Sequence, residues 1–112
     1  MEGEDCIQKS TLILPEKSSF EIPNDRYVRI ERFTLAEDNP EYDGSRIVVF
    51  ADVNSETKDG RVISVRTAIS SFIVGQDFEQ SADIVFSPAD SAVISATGPN
   101  ISIQITYSYM NI

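Results

Sequence analysis

Two polar stretches hold the side chains best suited to chemistry, namely 37–44 and 54–60. The candidate binding residues in them are Asp38, Asn39, Glu41, Tyr42, Asp43, Asn54, Glu56 and Asp59. Clustered oxygen ligands suit a hard cation such as Ca²⁺, but an EF-hand loop also needs a bidentate glutamate at its twelfth place. Phe50 and Ile63 occupy that place in the two stretches. The sequence therefore excludes an EF-hand and favours solvated loops, with a calcium site shared by the two loops left open.

Catalytic chemistry has few candidate residues in this chain. Histidine is absent, which removes Ser/His/Asp and Cys/His nucleophiles and the usual zinc and iron sites. Cys6 is the only cysteine, and the neighbouring Glu4 and Asp5 disfavour a reactive thiolate. No glycine-rich phosphate-binding motif occurs. We expect a protein that is not an enzyme, with no catalytic residues, no cofactor and no metal ligands beyond the open calcium question.

The charge balance limits the possible partners. Eighteen acidic residues against nine basic ones give a net charge of −9. A surface of this sign repels phosphate, so we expect no binding to nucleic acid or to an anionic membrane. The acidic start, residues 1–6, does not resemble a signal peptide and is expected to be a flexible tail. We expect synthesis in the cytoplasm.

The hydrophobic pattern predicts a β-protein. In the stretch 101–110, apolar and polar residues alternate, as expected for a half-buried strand. A second β-prone run, 90–97, precedes it, and the turn residues Gly98-Pro99-Asn100 between them suggest a terminal hairpin. In the segment Tyr27–Leu35 the apolar residues switch from one face of the strand to the other at the middle. This predicts a β-bulge near Glu31–Arg32 or a strand buried on both sides. The only candidate helix is one weak turn within 76–82.

Turn signals recur along the whole chain at the spacing of an antiparallel sandwich or barrel. We therefore predict an all-β fold with about eight strands, a single jelly-roll-like antiparallel β-sandwich domain spanning residues 1–112. The run Ile47–Val53 is apolar on both faces, and a two-layer sandwich covers only one. Val48 and Phe50 lie on the second face, so they are candidate subunit contacts in a homo-oligomer.

Two segments resemble small jelly-roll structural proteins of tailed-phage virions, the capsid decoration, head-fibre and tail-associated type. They are the Ile22-Pro23 turn leading into the strand to Phe33, and the stretch 87–98 followed by the strand from Ile101. The resemblance implies a non-enzymatic virion protein that binds a capsid or tail protein of a virus particle. It also implies localisation in the virion and, among oligomers, favours a trimer.

Two other functions remain as alternatives at this point. The loops 37–44 and 54–60 would form the recognition tip of a receptor- or glycan-binding module, because loops carry binding on a sandwich scaffold. A small acidic inhibitor that mimics nucleic acid would use its carboxylates in place of phosphates. The acids are spread evenly rather than in one dense stripe, which argues against the inhibitor.

Overall fold

The computed structural model describes residues 7–110 and consists of two four-stranded antiparallel sheets. In chain order the strands are β1 (Gln8–Ile13), β2 (Phe20–Glu21), β3 (Tyr27–Leu35), β4 (Arg46–Glu56), β5 (Val62–Ile73), β6 (Glu79–Phe86), β7 (Val93–Thr97) and β8 (Ile103–Met110). Two short 3-10 helices, η1 (Pro40–Tyr42) and η2 (Pro88–Asp90), lie in the loops. The predicted eight-stranded all-β sandwich is confirmed. The predicted flexible tail, residues 1–6, lies outside the described residues, as does Cys6.

The strand order is β1-β8-β3-β6 in sheet A and β2-β7-β4-β5 in sheet B. The chain changes sheet at every connection except the β4–β5 hairpin, which is the winding of a jelly roll. β7 and β8 therefore lie in opposite sheets, and the predicted terminal hairpin is wrong. Alternation in the sequence specified the buried face of each strand. It carried no information about which distant strands, β1 and β3 for β8, would become the neighbours.

The core lies between the two sheets and follows the alternation of the strands. Ile103 and Ile105 of β8 are fully buried, and from the opposite sheet Ile47 and Val49 of β4 are too. In β3 the register shifts between Ile30 and Arg32 against both neighbouring strands. This is the predicted β-bulge, and it brings the apolar residues on either side of it into one core.

The β4–β5 hairpin extends past the end of the sandwich. β4 pairs with β7 only over Val48–Asp52, and beyond that point β4 and β5 pair with each other alone. We call residues 53–65 the arm; it includes the hairpin turn and the free ends of both strands. Val53 is half-buried against the core. The other apolar residues of the arm are exposed, Val62 at 70%, Ile63 at 44% and Val65 at 51%.

The segment 76–82 forms no helix. Asp77 accepts a hydrogen bond from the Ile73 amide (2.8 Å) and closes a tight turn, after which β6 begins at Glu79. The candidate helical turn of this segment is therefore absent. Its apolar content, Phe78 alone, was too small to hold a helix against the core, whereas β3 offers the segment a full ladder of backbone hydrogen bonds.

Candidate functional site

The loop between β3 and β4 is held rigidly at one end of the sandwich. Gly44 donates to the Val74 carbonyl (2.8 Å), and Val74 donates to the Ser45 carbonyl (2.9 Å), which joins this loop to the one after β5. Asn39 accepts from the Glu41 amide (3.2 Å) and caps η1. Tyr42 packs against the core. The loop is therefore a fixed platform for its charged side chains.

Four exposed carboxylates occupy this platform, those of Glu37, Asp38, Glu41 and Asp43. We call them the acidic end. A Cβ placed on Gly75 would meet Asp43 Oδ1 at 2.8 Å, so the Asp43 carboxylate lies directly against the neighbouring loop. Within residues 7–110, none of the four lies within 4 Å of a lysine or arginine nitrogen.

The ion pairs of the described chain lie elsewhere. They join Arg26 to Asp25, Arg29 to Asp83, Arg32 to Glu79, Arg61 to Asp59 and Arg66 to Asp52. These acids are partly neutralised by a neighbouring guanidinium, whereas those of the acidic end are not. The unbalanced negative charge of the described chain is therefore most concentrated at that end.

The other predicted loop residues lie on or near the hairpin turn of the arm. Asp59 accepts hydrogen bonds from the Thr57 hydroxyl and from Arg61 Nε (3.1 Å). The hydrogen bond from Thr57 is the main cause that lowers the pKa of the Asp59 carboxyl, and the hydrogen bond from Arg61 lowers it further. Asn54 and Glu56 are exposed on the β4 side of the arm. Asp59 thus has a local structural role that closes the turn.

The two predicted loops are not brought together. They flank opposite ends of β4, an eleven-residue strand, so about 30 Å separates them at the usual rise per residue. The two loops therefore do not form the single recognition tip of the alternative function, nor the shared calcium site that the sequence left open. Within the part of the chain that the structure describes, no group of three acidic, cysteine or histidine side chains could hold a metal ion. The same residues include no helix long and apolar enough to cross a membrane.

Val48 and Phe50 lie on the outer face of sheet B, opposite the core, and both are half-buried. The Arg66 guanidinium lies 5.0 Å from the Phe50 ring centroid. Asp52 fixes it there with two hydrogen bonds of 2.8 and 3.0 Å. This bonding lowers the pKa of the Asp52 carboxyl and raises the pKa of Arg66. Within residues 7–110 no further strand covers this face, so its role as a subunit contact stays a prediction.

Sequence reasoning missed the apolar face of the arm. Val53 and Val65 are cross-strand partners. Ile63 lies two residues before Val65 in the chain, on the same face of the strand. The β-branched run 61–71 predicts a strand with Ile63 and Val65 on one face. Their burial depended on how far sheet A extends beneath them, and nothing in the local sequence signals where it ends.

Comparison with solved structures shows which proteins share this fold. The chain is similar to Drosophila NLP-core, which is described with pentamer formation and histone binding. The TM-score is 0.61 at 19% identity, and the match covers 94% of this chain and 99% of that one. It is also similar to the nucleoplasmin-like N-terminal domain of Drosophila FKBP39, with TM-score 0.67, 11% identity and 100% and 97% coverage. No protein-family model and no curated protein sequence matches the chain.

These structures overturn the resemblance to phage virion proteins. The match to the VP2 subviral particle of infectious bursal disease virus has a TM-score of only 0.32, too low to carry an argument. The capsid-decoration role, the capsid or tail partner and the virion localisation are therefore wrong. A trimer has no support either, because NLP-core is described as forming pentamers. Neither nucleoplasmin-like structure is described as a glycan-binding module or a nucleic-acid mimic.

The error has a physical cause. The turns and strands that carry the resemblance are required by the jelly-roll fold itself. Unrelated proteins with this fold therefore have similar residues at these places. Fold-level features of this kind do not specify function.

Proposed function

We propose that the protein is a non-enzymatic, nucleoplasmin-like domain that assembles as a ring of five copies and binds histones. The observation that carries the proposal is the match to NLP-core over nearly the full length of both chains. At 19% identity this likeness concerns the fold, so the charge and the surfaces of this chain must supply the remaining support.

The charge of the chain suits a basic partner. Histones carry many lysine and arginine residues, and the net charge of −9 attracts them over distances up to the Debye length. Among residues 7–110, the carboxylates of the acidic end have no ion pair to break before they meet a cationic side chain. The N-terminal acids Glu2, Glu4 and Asp5 add further negative charge. The candidate loop residues Asp38, Glu41 and Asp43 are therefore proposed histone contacts.

The outer face of sheet B suits the ring contact. A closed ring needs a head-to-tail interface in which two different patches of the subunit meet. Val48 and Phe50 give this face an apolar centre, and Ala68 lies beside Phe50 on β5. Covering such a centre with the next copy removes apolar surface from water. Repetition in a ring also multiplies weak contacts to one basic partner.

Titration of the protein with core histones, followed by calorimetry, tests the proposal. We expect binding that weakens steeply between about 0.1 and 0.5 M salt, because screening shortens the reach of the charges. The variant with Glu37→Gln, Asp38→Asn, Glu41→Gln and Asp43→Asn should bind roughly tenfold more weakly, a loss of about 1.4 kcal/mol.

The matched control removes the same number of charges elsewhere, with Glu16→Gln, Glu21→Gln, Glu31→Gln and Glu56→Gln, none of which is in an ion pair within residues 7–110. We expect it to bind nearly as well as the parent. Equal weakening by both variants would mean that net charge alone matters and the acidic end is not the site. Absence of histone binding at low salt would contradict the proposed function.

A further inference from the structure

The N-terminal half of β5 is an open sheet edge. Every residue from Val62 to Thr67 is exposed, and in sheet B β5 pairs only with β4. Proteins usually protect such edges with proline, bulges or charged side chains. This segment has no proline, and its one charged residue, Arg66, is held by Asp52 of the neighbouring strand. The other half of β5 is covered from sheet A, where Gln80 Nε2 donates to the Ser71 carbonyl (2.9 Å).

We propose that a second copy of this chain pairs with this edge in antiparallel fashion, about a two-fold axis at Ser64. In that register Ser64 of one copy faces Ser64 of the other, Ile63 faces Val65, and Val62 faces Arg66. The interface is self-complementary, because each contact occurs twice by symmetry. The contact is distinct from the head-to-tail contact of the proposed ring and goes beyond the proposed function.

The register is favourable on both faces of the strand. Ile63 and Val65 point to the same face, since their partners Ser55 and Val53 are two residues apart on β4. Pairing brings the two Ile63 and two Val65 side chains into one cross-strand apolar cluster, which Val53 extends. Apolar cross-strand pairs of this type stabilise sheets. No residue in the register faces a like charge.

Charge indicates a second copy as the occupant. The chain carries −9, so two copies repel each other over most of their surfaces. The arm carries little net charge, because Asp59 forms an ion pair with Arg61. Next to the arm, Asp52 forms an ion pair with Arg66. Lys58 offsets Glu56. Two copies can therefore pair along their arms without repulsion between like charges. A strongly basic partner would instead be attracted most to the acidic end.

Disulfide trapping tests the register in the full chain with Cys6→Ser. Opposed residues in an antiparallel pair have Cα atoms about 4.5–5.5 Å apart, within the range that a disulfide spans. We expect Ser64→Cys to give a covalent dimer on a denaturing, non-reducing gel. The control Val62→Cys should not, because two-fold symmetry separates its copies by about 14 Å. No dimer from Ser64→Cys, or equal dimer from both, would overturn the proposal.

A second pair of variants tests the apolar cluster. Val65→Lys in the Ser64→Cys background should lower the dimer yield roughly tenfold, since it buries a charge in the cluster. Val85→Lys, at a similarly exposed valine on β6, should leave the yield unchanged. If Val65→Lys instead weakens histone binding and Ser64→Cys gives no dimer, the edge binds a partner peptide and the proposal is wrong. The covalent dimer reports only the arm contact, so failure of the ring leaves this test intact.

Discussion

Asp52 and Arg66 form the best-defined ion pair in the described chain. Two nearly parallel hydrogen bonds hold the guanidinium in one orientation over the Phe50 ring. A bidentate pair is more specific in geometry than a single contact. The pair therefore positions the aromatic centre of the outer face of sheet B, and it links one residue's protonation to the shape of a proposed interface.

We expect the Asp52–Arg66 pair to stabilise the fold at neutral pH and to lose that effect in acid. The folded-state pKa of Asp52 lies below its usual 3.8, so its contribution is complete above about pH 4 and is lost as pH falls through the lower value. Asp52→Asn should cost about 0.5 kcal/mol at pH 7, measured by urea unfolding. The difference in stability between the variant and the parent should shrink as the pH falls through the lowered pKa of Asp52.

Glu56→Gln is the control for this experiment. It removes a negative charge from the same strand, four residues further along, without breaking an ion pair in the described residues. We expect it to leave the unfolding midpoint unchanged at both pH values. If Glu56→Gln costs as much as Asp52→Asn at pH 7, the effect belongs to net charge and not to the pair.

Connections between strands carry as much of the fold as the strands do. The link from β7 to β8 crosses from sheet B to sheet A at Gly98, whose φ is +134°. A Cβ there would lie 2.8 Å from the Arg46 carbonyl oxygen and 3.0 Å from the Ile47 side chain. The close approach of backbone to backbone leaves no room for any other residue.

Gly98→Ala should therefore destabilise the protein by about 3 kcal/mol, through strain at positive φ and through the clash. Gly60 in the hairpin turn of the arm has φ +86° but no atom within 4 Å of a Cβ. Gly60→Ala isolates the strain alone and should cost about 1 kcal/mol. Thermal unfolding monitored by circular dichroism measures both. Equal losses would show that the contact with β4 is unimportant.

The assembly determines which faces of the molecule are available to partners. Sheet A has a polar outer face, in which Thr106 and Ser108 are packed among neighbouring side chains. Sheet B has the apolar centre at Val48 and Phe50. In the proposed ring the outer face of sheet B is covered by the next copy, and the acidic end and the arm stay accessible.

Phe50→Asp should disrupt the ring, because it places a charge at the centre of the proposed contact. Native mass spectrometry of the parent should show five times the 12.4 kDa of the chain, and the variant should show smaller species. Leu12→Asp is the control, since Leu12 is 59% exposed on β1 of sheet A. Circular dichroism verifies that both variants are folded. Loss of the ring in Leu12→Asp but not in Phe50→Asp would assign the contact to sheet A.

Local patterns predicted much of the architecture. Alternation in β8 gave its core-facing residues and the change of face in β3 gave the bulge, because a strand sends neighbouring side chains to opposite faces whatever its partners are. The burial of Thr106 and Ser108 on the other face of β8 was not predicted. The absence of histidine and the acidic balance likewise followed from composition. The resemblance to virion proteins failed because it rested on turns and strands that serve the jelly roll itself.

Tertiary structure decided the remainder. Whether β7 and β8 formed a hairpin, whether the two acidic loops met, and whether Ile63 and Val65 were covered all depended on contacts between distant segments. The alternation of β5 runs from Ile63 to Ile69, yet residues 62–68 are exposed, whereas Phe72, beyond a register shift against β4, is buried in the sandwich. Burial is a property of the layer beneath a strand, and a strand's own residues do not encode how far that layer reaches.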